Sequence, residues 1–264
     1  MTSDRISDLI DVYRDGLLYE TLPFWLKNAV DREHGGYITA LNRDGSIIDT
    51  DKSVWFQERF AWLLSTLYSE VEPREEWIEA ATSGIEFLRQ CCFDHDGRMF
   101  FQVTREGKPL RKRRYVLSEA LTVAAYAAYA RATGDDRTRQ EALDLFHLMT
   151  HYLSTPGLLE PKVNPATRPM KGLAVPMILI VTAQILREVI DDPICNEWIE
   201  RSIKEIERDF MHPEFEAVLE TVGPNGEFID HYDGRTINPG HAIEAGWLFC
   251  RNPVFAVMIH ACVR

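Results

Sequence analysis

The sequence predicts an all-α protein, an α/α toroid with a ring of buried helices inside a ring of amphipathic ones and short β-hairpins in the connecting loops. Three observations predict it. Two classes of helical segment alternate along the chain, β-rich runs closed by glycine-containing turns stand between them, and the pattern recurs at a spacing of roughly 60 residues. An open α-solenoid is the alternative, but its inner helices would more often keep one polar ridge.

The amphipathic class is plain at Trp77, Ala81, Ile85 and Leu88, at Ala142, Leu145, Phe146, Met149 and Leu153, and at Ile199, Ile203, Ile206 and Phe210. Spacings of three and four draw one apolar stripe, and charges cover the rest. The other class is apolar nearly all round: 54–68 (VWFQERFAWLLSTLY), 115–130 (YVLSEALTVAAYAAYA) and 173–187 (LAVPMILIVTAQILR). Such helices are expected to be buried. The predicted helices are 4–19 (stripe Ile6, Leu9, Ile10, Tyr13, Leu17), 54–70, 75–92, 116–133, 136–153, 173–190 and 195–211, with a further one starting near His241.

Between them, Asn42-Arg43-Asp44-Gly45 follows GGYITAL, Arg105-Glu106-Gly107 follows MFFQVT, and Pro224-Asn225-Gly226 follows AVLETV. Each reads as a hairpin. Gly45 and Gly107 are 62 residues apart, and Gly107 and Gly226 are 119, close to twice that. The middle turn would fall at 160–170, where the chain is proline-rich instead. Asp31-x-x-His34-Gly35-Gly36-Tyr37 is echoed by Asp94-x-Asp96-Gly97-Arg98-Met99-Phe100.

The 264 residues, 45% of them hydrophobic, are enough for a single domain spanning 1–264. A net charge of −12 argues against nucleic acid or an acidic membrane as partner. Five cysteines without a C-x-x-C argue against a disulfide framework or a structural zinc, and a reducing compartment is the default. The charged start MTSDRISDLIDVYRDG is not a signal peptide, and the longest uncharged stretch, Gly172–Leu186, is too short to span a bilayer. A soluble cytoplasmic protein is expected.

Polar residues inside apolar helices are the informative ones, because a buried charge costs several kcal/mol unless paired or used. Arg59, Glu119, His241 and Glu244 are of this kind, and in a toroid they would line one central concavity. Arg59 could equally pair with Glu58 or Glu119, and His241 could be an ordinary histidine near a helix start. His241 and Glu244 are three apart on one helix face, so a general base with an orienting carboxylate is the functional reading. His34 and His95 lie in turns, His212 and His231 in loops. His147 and His151, four apart on an outer helix, lack a third metal ligand, so no metal is expected. Trp25, Trp55, Trp62 and Trp247 are core residues or sugar-stacking platforms. Phosphate loops, dinucleotide fingerprints and nucleophile elbows are missing from the sequence.

Phe24-Trp25-Leu26, Asp31, His34-Gly35-Gly36-Tyr37, Asp44-Gly45, Asp51-Lys52-x-x-Trp55-x-Gln57-x-Arg59, Tyr129-Ala-Arg-Ala-Thr-Gly134 and Asn238-Pro-Gly-His-Ala-Ile-Glu-Ala-Gly-Trp247 together resemble the N-acylglucosamine 2-epimerase family, from about residue 20 to 248. The resemblance implies an (α/α)₆ barrel acting on free sugars, as a 2-epimerase or an aldose–ketose isomerase of the mannose type. It implies that Arg59 and His241 sit in the site with Glu244 close by, and that Trp55, Tyr115, Glu119, Met177 and Asn238 contact the sugar. A proton leaves C2 of the opened sugar, an enediolate forms, and two histidines share the acid and base work. No cofactor is implied, since Arg59 can stabilise the oxyanion.

In the isomerase and cellobiose branches a histidine commonly follows a methionine on the third inner helix. Ala174-Val175-Pro176-Met177 stands there instead, which leans toward the acylglucosamine branch. After Trp247 the chain leaves the family pattern, and His260 does not sit in the motif of the second histidine. A truncated or frame-shifted member is therefore expected, an incomplete ring whose bare inner surface favours self-association, with a homodimer among the expected assemblies. A non-catalytic sugar- or partner-binding protein is the competing class. A glycoside hydrolase would need two carboxylates across a cleft; Glu119 and Glu244 could be proposed, but no hydrolase motif supports them.

Overall fold

The computed structural model describes residues 3–113 and 115–252; Arg114 of the basic run, His260 and Cys262 lie outside the described residues. Two compact units divide the chain, one of residues 3–113 and 128–135, the other of residues 115–127 and 136–252.

The first unit opens with α1 (Ser3–Asp15), a π-helical turn (Gly16–Thr21) and α2 (Leu22–Asn28). The single helix expected over 4–19 is thus interrupted, and its stripe is not core: Ile6, Ile10 and Tyr13 are exposed. Burial begins at Leu18 and Leu22. Strands β1 (Ala40–Leu41) and β2 (Ile47–Asp49) form the first expected hairpin, closed by Gly45 at φ 87°. Next come β3 (Lys52–Ser53), α3 (Val54–Glu70), α4 (Glu75–Cys91), β4 (Phe100–Val103) and β5 (Pro109–Lys112). The second expected hairpin is β4–β5, and β3 adds to it as a third antiparallel strand.

Helix α3 packs on α4. It buries Val54, Gln57, Glu58, Ala61, Leu64 and Leu67, but Phe56, Arg59 and Trp62 remain exposed, Phe56 at 55%. Composition suggested a helix buried on every side. The structure gives it one open stripe at a spacing of three, on which Arg59 lies.

The sequence echo folds as an echo. Asp31 N donates to Gly36 O (2.9 Å) beneath a Val30–Tyr37 bridge, and Asp94 N donates to Arg98 O (2.8 Å) beneath a Phe93–Met99 bridge. Each aspartate is clamped by a lysine of a following strand, Asp31 by Lys52 (3.0 Å) and Asp94 by Lys112 (2.8 Å). The first clamp is wholly enclosed. Lys52 is 0% exposed and donates from Nζ to Gly35 O (2.6 Å) and Arg105 O (2.8 Å), above the Phe87 ring at 4.3 Å. Arg105 adds two hydrogen bonds to Asp31, at 2.9 and 3.0 Å. Gln57, also buried, grips the Tyr37 backbone from both sides, accepting from N and donating to O, each at 2.7 Å.

Tyr37 carries its hydroxyl to Ala80 O (2.8 Å), and the ring end lies where α4 has Gly84. A Cβ on Gly84 would stand 2.6 Å from Tyr37 Cζ. Alanine gains helix propensity worth about 1 kcal/mol, but overpacking a rigid buried ring costs about 1–3 kcal/mol. Gly84→Ala should therefore be net destabilising in urea titration; a raised midpoint would show that Tyr37 moves aside freely.

In the second unit, α5 (Leu117–Thr133) runs into the first unit at its end, α6 (Asp136–Ser154) follows, and α7 (Ala174–Arg187) packs on α8 (Pro193–Glu205). Helix α5 is buried over nearly its whole surface, and α7 buries Met177, Leu179, Ile180, Ala183 and Leu186, as expected of inner helices. Helix α8 keeps its charges outside and ends in a π-helical turn (Ile206–Phe210). Helices α3, α5 and α7 begin at Val54, Leu117 and Ala174, the predicted recurrence of about sixty residues.

The third expected hairpin is not made. The turn exists, with Gly226 at φ 90° donating to Gly223 O (3.0 Å). Its leading strand, β9 (Thr221–Val222), pairs instead with β6 (Lys171–Gly172), far back in the sequence, while β7 (Met211–His212) pairs with β8 (Ala217–Val218). A two-residue strand leaves no periodicity to read, so the proline-rich stretch hid β6. A third clamp sits here: Lys171 bonds Asp209, which Arg208 also holds at 2.6 Å. Arg208, opposed in part by burial and helped by Lys171, depresses the Asp209 carboxyl to about 2.

Among the described residues no helix is long and apolar enough to cross a membrane, and no group of three or more His, Cys, Asp and Glu could hold a metal ion. Cys91, Cys92, Cys195 and Cys250 are free thiols.

Candidate active site

Helix α9 (Pro239–Cys250) presents the candidate base. Asn238 is its N-cap, its Oδ1 accepting from Gly240 N (3.1 Å) and His241 N (3.4 Å), and Pro239 follows at the first helical position. The sequence N-P-G-H thus encodes a helix start, and it puts His241 in the first turn. Gln184 of α7 donates to Leu248 O (2.8 Å) and ties the far half of α9 down.

The His241 side chain is 40% exposed. Its Nδ1 lies 2.7 Å from Glu220 Oε1 and donates to it. Glu220, 19% exposed, stands between Leu219 and β9. Its backbone is moored at both ends, its O accepting from Leu173 N (3.0 Å) and its N donating to Thr236 O (3.4 Å).

This corrects the expected partner. Glu244 shares the helix face by spacing but is exposed, and among the described residues no hydrogen bond joins it to His241. Glu220 lies outside the helices, where a polar residue in an apolar helix gives no signal. It is the lone acid in the apolar run AVLETV, and the same test applied to strands finds it.

The other candidates divide by unit. In the first, Arg59 has no carboxylate partner among the described residues, so the ion-pair reading with Glu58 or Glu119 is not realised. Its guanidinium lies 5.7 Å from the Trp55 ring centroid, and Trp55 meets Phe101 edge-on at 4.9 Å. Arg59 also lines an apolar groove of about 270 Å³ with Leu22, Trp25, Phe56 and Phe60. In the second unit, Tyr115 carries the Lys162 ammonium 4.2 Å from its ring centroid, and Met177 is buried on α7. Glu119 is fully buried, and the helix that holds it is covered on nearly every side. Asn238 spends its side-chain carbonyl on the helix cap. His147 and His151 are exposed on α6, as an outer helix requires.

Loss of the cap has a measurable cost. Asn238→Ala should lower stability by about 1 kcal/mol and loosen the turn that carries His241, read as a lower urea midpoint and broadened His241 ring signals in NMR. An unchanged ring signal would mean that Gln184 and Glu220 fix α9 without the cap.

Helices paired in series with hairpins at their ends place the chain in a known class. A solved structure of cellobiose 2-epimerase from Bacillus thermoamylovorans matches with a TM-score of 0.81 over 93% of this chain and 66% of that one, at 21% identity. The likeness gives the fold class, the (α/α)₆ barrel with short β-hairpins in its loops. Residues 36–254 match the N-acylglucosamine 2-epimerase (GlcNAc 2-epimerase) family, and the chain belongs to that family. It is 33% identical over 250 residues to human N-acylglucosamine 2-epimerase, covering 89% of this chain and 56% of that protein. It is 35% identical over 126 residues to a cellobiose 2-epimerase of Eubacterium cellulosolvens, covering 47% of this chain and 30% of that protein. The chain spans about half the length of the curated relatives it matches, 56% for the human protein.

Proposed function

We propose that this chain acts at C2 of a free sugar of the N-acylhexosamine type, with His241 as the group that moves the proton. The observation that carries the reading is His241 itself, part-exposed at a capped helix start, with one ring nitrogen held by Glu220 and no protein partner on the other among the described residues. The longer match to N-acylglucosamine epimerases than to the cellobiose enzyme favours the acylated sugar.

The chemistry needs little else. Opening of the ring exposes a C1 aldehyde, which acidifies the C2 proton. His241 removes it, the electron pair moves into the C1–C2 bond, and the charge settles on O1, as an enolate for an N-acylated sugar and as an enediolate for a sugar with a hydroxyl at C2. Return of the proton to C2 completes exchange or epimerisation; its return to C1 would be the aldose–ketose isomerisation of a mannose-type enzyme. The presence of Arg59 in a motif that resembles the family's supports giving the oxyanion to its guanidinium. No redox group enters these steps. A hydrolase reading is disfavoured because Glu119, one of its two carboxylates, is sealed from solvent. The free thiols among the described residues suit a reducing cytoplasm, and the exposed apolar stripe of α3 suits self-association.

A single acid–base group returns the proton to the face it left. Incubation of the 264-residue chain with N-acetylmannosamine in D₂O should therefore give deuterium at C2 faster than it gives the C2 epimer, read by proton NMR. No exchange above the solvent rate would defeat the reading. Rapid epimer formation would place a second acid–base group in the chain.

A further inference from the structure

We infer that Glu220 is the positioning residue of the active-site imidazole: its carboxylate, fixed by strand pairing, holds His241 in the Nδ1–H form and so makes Nε2 the atom that takes the C2 proton. This rests on the reading of His241 given above, but the geometry behind it does not.

An ionised carboxylate only accepts hydrogen bonds, so the 2.7 Å contact fixes a proton on Nδ1. A histidine free in water favours the opposite form, with its proton on Nε2 and no basic lone pair there. Glu220 thus reverses the intrinsic preference and exposes the lone pair on Nε2, which has no protein partner among the described residues. When Nε2 takes the C2 proton, the imidazolium that forms lies against the carboxylate; when the proton returns, the ring recovers its neutral Nδ1–H form and nothing is consumed.

Glu220 is suited to this because it is not on a loose loop. Leu173 N donates to its carbonyl, β9 immediately after it pairs with β6 through Thr221↔Gly172 and Val222↔Lys171, and its side chain is mostly buried. His241 is held from the other side by the Asn238 cap. Two separately anchored backbones meet at one hydrogen bond, the arrangement that fixes a rotamer and a tautomer together. Glu244, by contrast, is exposed one turn further along the same helix.

The test uses the intact 264-residue chain labelled with ¹⁵N, with ring signals assigned by their loss in His241→Asn. Wild-type His241 should show the Nδ1–H pattern of ring nitrogen shifts when neutral. Glu220→Ala should shift it to the Nε2–H pattern, and Glu220→Gln, which keeps a neutral acceptor, should restore much of the bias. The rate of C2 exchange at saturating sugar should fall about 10–100-fold in Glu220→Ala, with KM little changed and Glu220→Gln between the two. An Nε2–H pattern in the wild type overturns the inference, even if Glu220→Ala fails to fold, as does an unchanged pattern and unchanged exchange in a folded Glu220→Ala. An Nδ1–H wild type without any C2 exchange would sustain the positioning role and defeat the epimerase reading instead.

Discussion

His241→Asn should reduce C2 proton exchange by about 10²–10⁴-fold, the usual worth of a positioned acid–base group. At about 1.4 kcal/mol per decade this is about 3–5 kcal/mol of lost transition-state stabilisation. Asparagine keeps polarity and comparable bulk at the start of α9, and the cap contributed by Asn238 does not involve the imidazole. The variant should therefore fold as the parent does, and its circular dichroism and urea midpoint should stay close to it. The measurement is the rate of deuterium entry at C2 of N-acetylmannosamine in D₂O, followed at saturating and at low sugar. A fall at saturating sugar places the loss in the proton-transfer step; a rise in KM alone would make His241 a binding residue. Exchange within a factor of three of the parent would mean that the base lies elsewhere.

Lys52→Met should cost about 3–5 kcal/mol of folding stability, because it strips one partner from a fully enclosed ion pair. Asp31 would keep Arg105, but the backbone carbonyls of Gly35 and Arg105 would lose their donor in a site without water access. For a domain whose whole stability is of order 5–15 kcal/mol, the variant should be marginal at 37 °C. A loss under 1 kcal/mol would show that the methionine fills the space over Phe87 as well as the ammonium does. The same cluster sets an acid limit. Burial alone would raise the Asp31 carboxyl, but hydrogen bonds from Arg105 and Lys52 outweigh it and hold it well below the usual range. A depressed carboxylate contributes its stability fully above its unfolded pKa of about 3.9 and loses it as pH falls from there toward the folded value. The urea midpoint should therefore drop steeply below about pH 4, and Asp31→Asn should flatten that drop while lowering the plateau.

Helix periodicity and turn glycines were legible wherever an element was long or local. Seven predicted helices lie within a few residues of α1 and α3 to α8, and both hairpins with adjacent strands are present. What escaped was non-local or depended on what covers a surface. The β6–β9 pair joins two dipeptides across two helices, and no local pattern marks it. The exposed stripe at Phe56, Arg59 and Trp62 reads as core because apolar composition does not say which face has a neighbour. Lys52 stands beside Asp51 in the sequence, yet its ammonium crosses to Asp31 and is sealed there. In the site, the histidine was visible from its helix start. Spacing points to Glu244 as its carboxylate, one turn along the helix, because sequence shows helix faces and hides the strand that brings Glu220 from elsewhere.

The β6–β9 pairing has a kinetic meaning as well. Lys171 and Val222 close a loop of about fifty residues that contains α7 and α8, and such a closure is worth little until the helices inside it have packed. The Leu173 amide, bonded to Glu220 O, should then exchange with solvent in step with the amides of α7, as one cooperative unit. A cavity made inside that unit, at Ile180 for example, would open the strand pair more often without touching the active site. The protonation form of His241 would follow those openings, so hydrogen exchange at Leu173 is a readout of how long the candidate base stays correctly set.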